Sequence, residues 1–131
     1  AAMAAPGPEG GTWQGGGLGK DGVERYCRQL VLPAFGIEKQ RKLCDSAILV
    51  VGAGGLGSAV ALYLAAAGVG KLGIADQDEV DLSNLHRQVL HGEDRIGQHK
   101  AVSAASTLRR LNSKVNLELH VDGFRAENAL E

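Results

Sequence analysis

From Ala47 to Asp76 a β-branched apolar run, a glycine turn, an apolar helix pattern, a second apolar run and an acid succeed one another without a break. The run AILVV (Ala47–Val51) enters GAGGLG, with glycine at Gly52, Gly54, Gly55 and Gly57. SAVALYLAAAGVG comes next at helical period, then KLGIA and Asp76. That order is strand, phosphate loop, helix, strand, ribose acid, and it predicts a nucleotide site on a parallel α/β sheet.

Each glycine has its own physical task. Gly52 allows the tight turn off the strand, Gly54 and Gly55 leave no Cβ between backbone and phosphate, and Gly57 lets helix and strand approach. The helix opening near Leu56 aims free N–H groups and the positive end of its dipole at the ligand. A glycine-rich strand-to-helix turn that binds nothing would not require four glycines and an acid 19 residues beyond the last of them.

The chain has 131 residues, 44% of them hydrophobic, enough for one domain with a core. Its net charge of −1 offers no basic surface for nucleic acid or for a membrane surface. The apolar stretch Leu56–Gly70 is too short to span a bilayer. Cys27 and Cys44 are the only cysteines. Without a CxxC pair they fit a reducing, cytoplasmic setting and small, partly buried structural roles.

Residues 1–24 hold eight of the 19 glycines with Pro6 and Pro8, and are expected to form a disordered tail. The tail lacks the apolar segment of a signal peptide, and its first basic residue is Lys20. Helices are predicted over Glu24–Leu32, Ile37–Cys44, Leu56–Ala67 and Gln98–Leu111. Strands are predicted over Ala47–Val51, Lys71–Ala75 and Val115–Val121. On the last helix Ala101, Ala104, Ala105, Leu108 and Leu111 form the apolar face. Asp76–Leu90 reads as irregular, with one helical turn from Ser83. The result is a Rossmann-like parallel sheet with flanking helices. Three strands leave an edge and faces open, so the expectation is a truncated domain or one whose gap a dimer covers.

The residues after Asp76 separate the candidate nucleotides. Asp78, Asn84, Arg87 and Lys100 gather downstream of a single phosphate loop. Arg87 and Lys100 are cations able to serve phosphates beyond the two a glycine loop covers, and Asn84 can hydrogen-bond a phosphate oxygen. A triphosphate needs that charge more than a dinucleotide does. Taken singly, an Arg and a Lys are more simply solvated surface charges.

The ordered segments RYCRQLVLPAFG (Arg25–Gly36), Gly52–Gln88 and IGQHKA (Ile96–Ala101) resemble the ThiF/MoeB family of ubiquitin-activating-type adenylyltransferases. Val89–Ser113 is similar to its molybdopterin-synthase sulfurtransferase subgroup, which also activates the ubiquitin-related modifier of tRNA thiolation. The resemblance covers residues 25–131, as the N-terminal portion of an ATP-binding domain. It implies that Gly55 contacts ATP and Asp76 holds the ribose. Ser83, Asn84, Leu85, His86 and Arg87 would line the triphosphate, Lys100 would contact a phosphate, and Arg28 would enter the site of a second subunit in a homodimer. The implied reaction is adenylation of the C-terminal glycine of a ubiquitin-like sulfur carrier.

The family's magnesium-binding aspartate, paired CxxC zinc motifs and rhodanese domain have no counterpart in these residues, so Mg²⁺ and Zn²⁺ are expected only with a longer product. No metal ligands are assigned here. His86, His91, His99 and His120 lack ligand spacing and read as exposed or structural. Two other readings use the same loop. One is an NAD-dependent oxidoreductase fragment, which leaves Asn84, Arg87 and Lys100 without a task. The other is a non-catalytic nucleotide-binding interaction module.

Overall fold

A computed structural model describes residues 3–4 and 18–129 of the chain. Three parallel strands form its centre: β2 (Ala47–Val51), β3 (Lys71–Ala75) and β4 (Asn116–His120), in the spatial order β2-β3-β4. A two-residue strand, β1 (Met3–Ala4), pairs antiparallel with β4 and covers part of that edge. The register is continuous, with Val50 opposite Ile74 and Ile74 opposite Leu119.

Both crossovers are helical: α3 (Gly55–Ala67) joins β2 to β3, and α4 (Lys100–Leu111) joins β3 to β4. Strand side chains alternate, so one face of the sheet collects Val50, Leu72, Ile74, Leu117 and Leu119. These pack with Ala61, Ala65, Ala104, Ala105 and Leu108 of the two helices. Each fully buried Leu or Ile in this layer contributes roughly 1.5–3 kcal/mol over an exposed one. The alanines let α3 and α4 lie close to the strands. On the opposite face Leu49 and Val51 are exposed, Lys71 pairs with Glu118, and His120 Nε2 lies 3.6 Å from Glu118 Oε1. Among the described residues the β2 edge and this face are open, as expected, whereas α3 and α4 cover the other face, which the sequence expectation also leaves open.

α1 (Gly19–Leu30) and α2 (Gly36–Cys44) pack on each other at the far end of α3 and α4. Tyr26 is buried, and its hydroxyl accepts from Asn112 Nδ2, which also reaches the Ala65 carbonyl at 2.8 Å. Gln29 and Gln40 both donate to the Ala67 carbonyl.

Met3–Ala4 and residues 18–24 are ordered, although they fall in the expected tail of residues 1–24. Leu18 is buried with Tyr26 and Cys44, and the helix begins at Gly19, so packing overrides the poor helix propensity of two glycines. Residues 1–2, 5–17 and 130–131, the rest of the expected tail among them, lie outside the described residues. Cys44 is buried, which pushes its thiol up, whereas Cys27 is exposed rather than partly buried. α4 starts at Lys100, two residues later than expected, and Leu111 at its end is 38% exposed. Leu111 turns to the solvent side there, while the C-cap Asn112 next to it is fully buried. No described helix is long and apolar enough to cross a membrane.

Candidate nucleotide site

The glycine loop behaves as its spacing predicts. Gly52 has φ +90°, a left-handed turn that takes the chain off β2. A Cβ on Gly57 would stand 1.7 Å from the Gly52 carbonyl oxygen, so the first turn of α3 presses directly on the strand end. Gly54 is the N-cap of α3 and carries no side-chain cap. The helix's first N–H groups therefore face the loop opening.

Asp76 closes β3 beside this loop. It is 8% exposed. Its Oδ2 accepts the Ala53 N–H at 2.6 Å and its Oδ1 accepts the Asp78 N–H at 2.8 Å. Each oxygen keeps a lone pair for a further donor. A cleft of about 220 Å³ opens next to it, lined by Val51, Gly52, Asp76, Gln77 and Phe124 among others. The half-exposed Phe124 ring stands at this cleft, and Arg125 donates to Gln77 Oε1 at 3.2 Å.

The chain after Asp76 is folded back in two pieces. Segment 78–80 pairs with segment 97–100: Val80 N–H to the Gln98 carbonyl, Gly97 N–H to the Val80 carbonyl, Lys100 N–H to the Asp78 carbonyl. This brings the buried Lys100 Nζ to 2.9 Å from Asp78 Oδ2. Between them Asp81 caps a 3₁₀ turn, Leu82–Asn84, by accepting the Ser83 N–H. The Ser83 hydrogen bonds hold the Asp81 carboxyl below the usual carboxylate range. The turn directs residues 84–88 back over the glycine loop.

There Asn84, His86, Arg87 and Gln88 form one cluster. The Arg87 stem lies 3.4 Å from where a Cβ on Gly55 would stand. Its guanidinium donates to His86 Nε2 at 2.7 Å and toward Asn84 Oδ1 at 3.4 Å. Gln88, 3% exposed, donates to Asn84 Oδ1 at 2.8 Å and faces Gly54. Its buried Oε1 has no hydrogen-bond partner among the described residues. An amide oxygen accepts only, so a hydroxyl or a water suits it and an anionic phosphate oxygen does not. Ser83 is exposed and Leu85 half-buried, each placed by its backbone.

Of the residues selected from sequence, the glycines, Asp76, Asp78, Asn84, His86, Arg87 and Lys100 thus surround one loop. Arg28 does not join them. Its neighbour Gln29 touches Ala67 at the far end of α3, about 18 Å along that helix from Gly55. Spacing gave no signal for Gln88, His91 or Ser103. His91 is buried, with Nε2 2.9 Å from the Ala53 carbonyl and Nδ1 2.9 Å from Ser103 Oγ. Burial pushes its imidazole below the usual histidine range, with Arg95 and Lys100 adding to that shift. Among the described residues no three His, Cys, Asp or Glu side chains converge as a metal site.

The sequence matches the model of the ThiF family over residues 26–131. The chain belongs to the ThiF family. It is 55% identical over 116 residues to the adenylyltransferase and sulfurtransferase MOCS3-1 of Zea mays, covering 88% of this chain and 25% of that relative. To the MOCS3 adenylyltransferase and sulfurtransferase of Xenopus laevis it is 57% identical over 110 residues, covering 83% and 24%. This chain thus spans about a quarter of the length of these curated relatives. Among solved structures it superposes on PaaA with a TM-score of 0.75 at 32% identity, covering 87% of this chain and 38% of that one. On E. coli MccB crystallised with ATP the TM-score is 0.70 at 30% identity, covering 79% and 31%. The resemblance drawn from the sequence and the Rossmann-like fold class both hold.

Proposed function

We propose that this chain supplies the ATP-binding wall of an adenylyltransferase that activates the C-terminal glycine carboxylate of a ubiquitin-like sulfur carrier. The observation that carries this reading is the return of Asn84–Gln88 onto Gly54 and Gly55, where the cationic Arg87 covers the loop. A dinucleotide dehydrogenase has no need of that second layer. The similarity to MOCS3 proteins and to a MccB structure with ATP supports the same reading.

In this reading the ribose hydroxyls donate to the free lone pairs of Asp76, and the base enters the cleft beside Phe124. The phosphates lie on the Gly54–Gly55 backbone, at the positive end of α3. A carboxylate oxygen of the carrier attacks the α-phosphorus. The bond to the bridging oxygen of the β-phosphate breaks, and that oxygen leaves on pyrophosphate with the electron pair. Anion must approach anion, and charge accumulates on the leaving group. Arg87 and Lys100 offset both, being fixed before the reaction starts. Arg28, remote from its own loop, serves the site of a second subunit in a homodimer, in the cytoplasm. No three His, Cys, Asp or Glu side chains converge among the described residues, and the ligands of the expected magnesium and zinc would come from a longer product.

The test is ATP titration by calorimetry, with ATP–pyrophosphate exchange in the presence of a sulfur carrier, on this chain and on a longer product containing it. Saturable ATP binding and carrier-dependent exchange are expected. Binding of NADH without exchange in either protein overturns the proposal.

A further inference from the structure

Ala53 is fully buried between two glycines. Gly52 and Gly54 have no side chains, so packing does not fix the peptide planes on either side of Ala53. Hydrogen bonds do. The Ala53 N–H is held by Asp76 Oδ2 at 2.6 Å, and the Ala53 carbonyl is held by His91 Nε2 at 2.9 Å. Ser58 Oγ also faces that carbonyl, at a longer 3.4 Å.

The chemistry fixes the proton on His91. A carbonyl only accepts, so Nε2 carries the hydrogen and Nδ1 accepts from the Ser103 hydroxyl at 2.9 Å. Burial, which disfavours the charged ring, keeps this neutral form. Ser103 is itself fully buried on α4, three residues after Lys100. His91 therefore spans from the helix that starts at Lys100 to the centre of the glycine loop.

A trans peptide is planar, with N–H opposite to C=O. Whatever pins the Ala53 carbonyl also aims the Gly54 N–H, which has no backbone acceptor among the described residues. We propose that His91 is a positioning residue for the phosphate loop: its bond to the Ala53 carbonyl turns the Gly54 N–H outward, toward a nucleotide phosphate, and sets the loop in register with Lys100. The proposal rests on the ATP reading above for its ligand, though not for its geometry.

Four forms of the full chain test it: the natural protein, His91→Phe, His91→Gln and His91→Asn. Glutamine places an amide N–H near the Nε2 position, whereas asparagine reaches only as far as Nδ1. Amide hydrogen exchange without nucleotide reads the loop directly. His91→Phe should speed exchange at Ala53 about tenfold and leave Leu72 and Ile74 of β3 unchanged. The Kd for ATP should rise about tenfold, the worth of one such hydrogen bond. His91→Gln should recover most of both effects and His91→Asn should not. Equal acceleration at Ala53 and Ile74 would mean general loosening and would overturn the positioning role. So would an unchanged Ala53 rate, or no rescue by glutamine. If the natural chain binds no ATP, the ATP reading fails, and the exchange rates alone decide this one. If His91→Phe does not fold, the contrast between glutamine and asparagine decides it.

Discussion

Lys100 and Asp78 are joined twice, by the Lys100 N–H to the Asp78 carbonyl at 2.8 Å and by Lys100 Nζ to Asp78 Oδ2 at 2.9 Å. The two ends of the ion pair differ: the lysine side chain is 7% exposed and the aspartate 62%. Removing the exposed partner strands a buried ammonium, while removing the buried one leaves a carboxylate already in water. Asp78→Ala should therefore lower the unfolding free energy by about 1–3 kcal/mol, and Lys100→Met by less than about 1 kcal/mol. Activity should show the reverse order. Lys100→Met should cut pyrophosphate exchange about 100-fold or more, as loss of a fixed charge on a reacting phosphate does. Urea unfolding and exchange assays on both variants check the crossing.

Two glycines of one loop should separate fold from binding. On Gly57 a Cβ meets the Gly52 carbonyl oxygen at 1.7 Å, backbone that cannot step aside. Gly57→Ala should cost about 3 kcal/mol or more. On Gly54 the nearest atom to a new Cβ is Gln88 Nε2, at an ordinary 3.8 Å. Gly54→Ala should leave the unfolding midpoint nearly unchanged and still weaken ATP binding, because the methyl enters the space a phosphate needs. Denaturant melts and calorimetric titration measure the two effects. Equal stability losses would contradict the contrast.

The βαβ unit is legible in the sequence because its signals are local. Ala47–Val51 and Lys71–Ala75 are apolar runs of strand length, and Gly52 to Gly57 punctuates them with a spacing that only one turn geometry needs. The start of α1 is not legible, because Gly19 and Gly22 argue against helix, while the pull of Leu18 and Tyr26 into a shared core is invisible along the chain. Asn84, Arg87 and Lys100 can be selected as a set, but their division of labour cannot. Arg87 covers Gly55, and Lys100 is tied to Asp78. His91 and Ala53 lie 38 positions apart, and nothing in either residue type announces the contact. Tertiary hydrogen bonds of that range have no period to detect.

His91 also gives the fold a signed response to pH. Burial places its folded-state pKa below the unfolded value of about 6.5. The unfolded chain then binds the proton more readily, so unfolding free energy increases with pH across the interval between the two values. The contribution is complete above about pH 6.5 and declines as pH falls toward the folded-state value. His91→Gln removes this dependence. Subtracting its stability profile from that of the natural protein should give a difference that is flat above neutrality and shrinks on acidification below pH 6.5. A difference that instead grows on acidification would reverse the sign and place a charged ring in the folded protein. The Glu118 carboxyl, held low by its hydrogen bond to Lys71, is present in both proteins and cancels.

Arg28 lies on α1, at the end of α3 remote from Gly55, and is exposed. If it serves a second subunit, its loss and the loss of Lys100 fall on different sites. Arg28→Ala should abolish most exchange activity while its own loop still binds ATP with an unchanged Kd. Lys100→Ala should weaken its own pocket and keep a working Arg28. A heterodimer of the two then has one complete site, built from the Lys100 of one subunit and the Arg28 of the other. Random assembly of equal amounts makes half the dimers mixed, each with one of two sites intact, so about a quarter of the natural activity should return. Analytical ultracentrifugation checks whether dimers form, and exchange assays on the separate and mixed variants read the rescue. Activity that stays at the level of the separate variants after subunits have exchanged would confine Arg28 to its own chain.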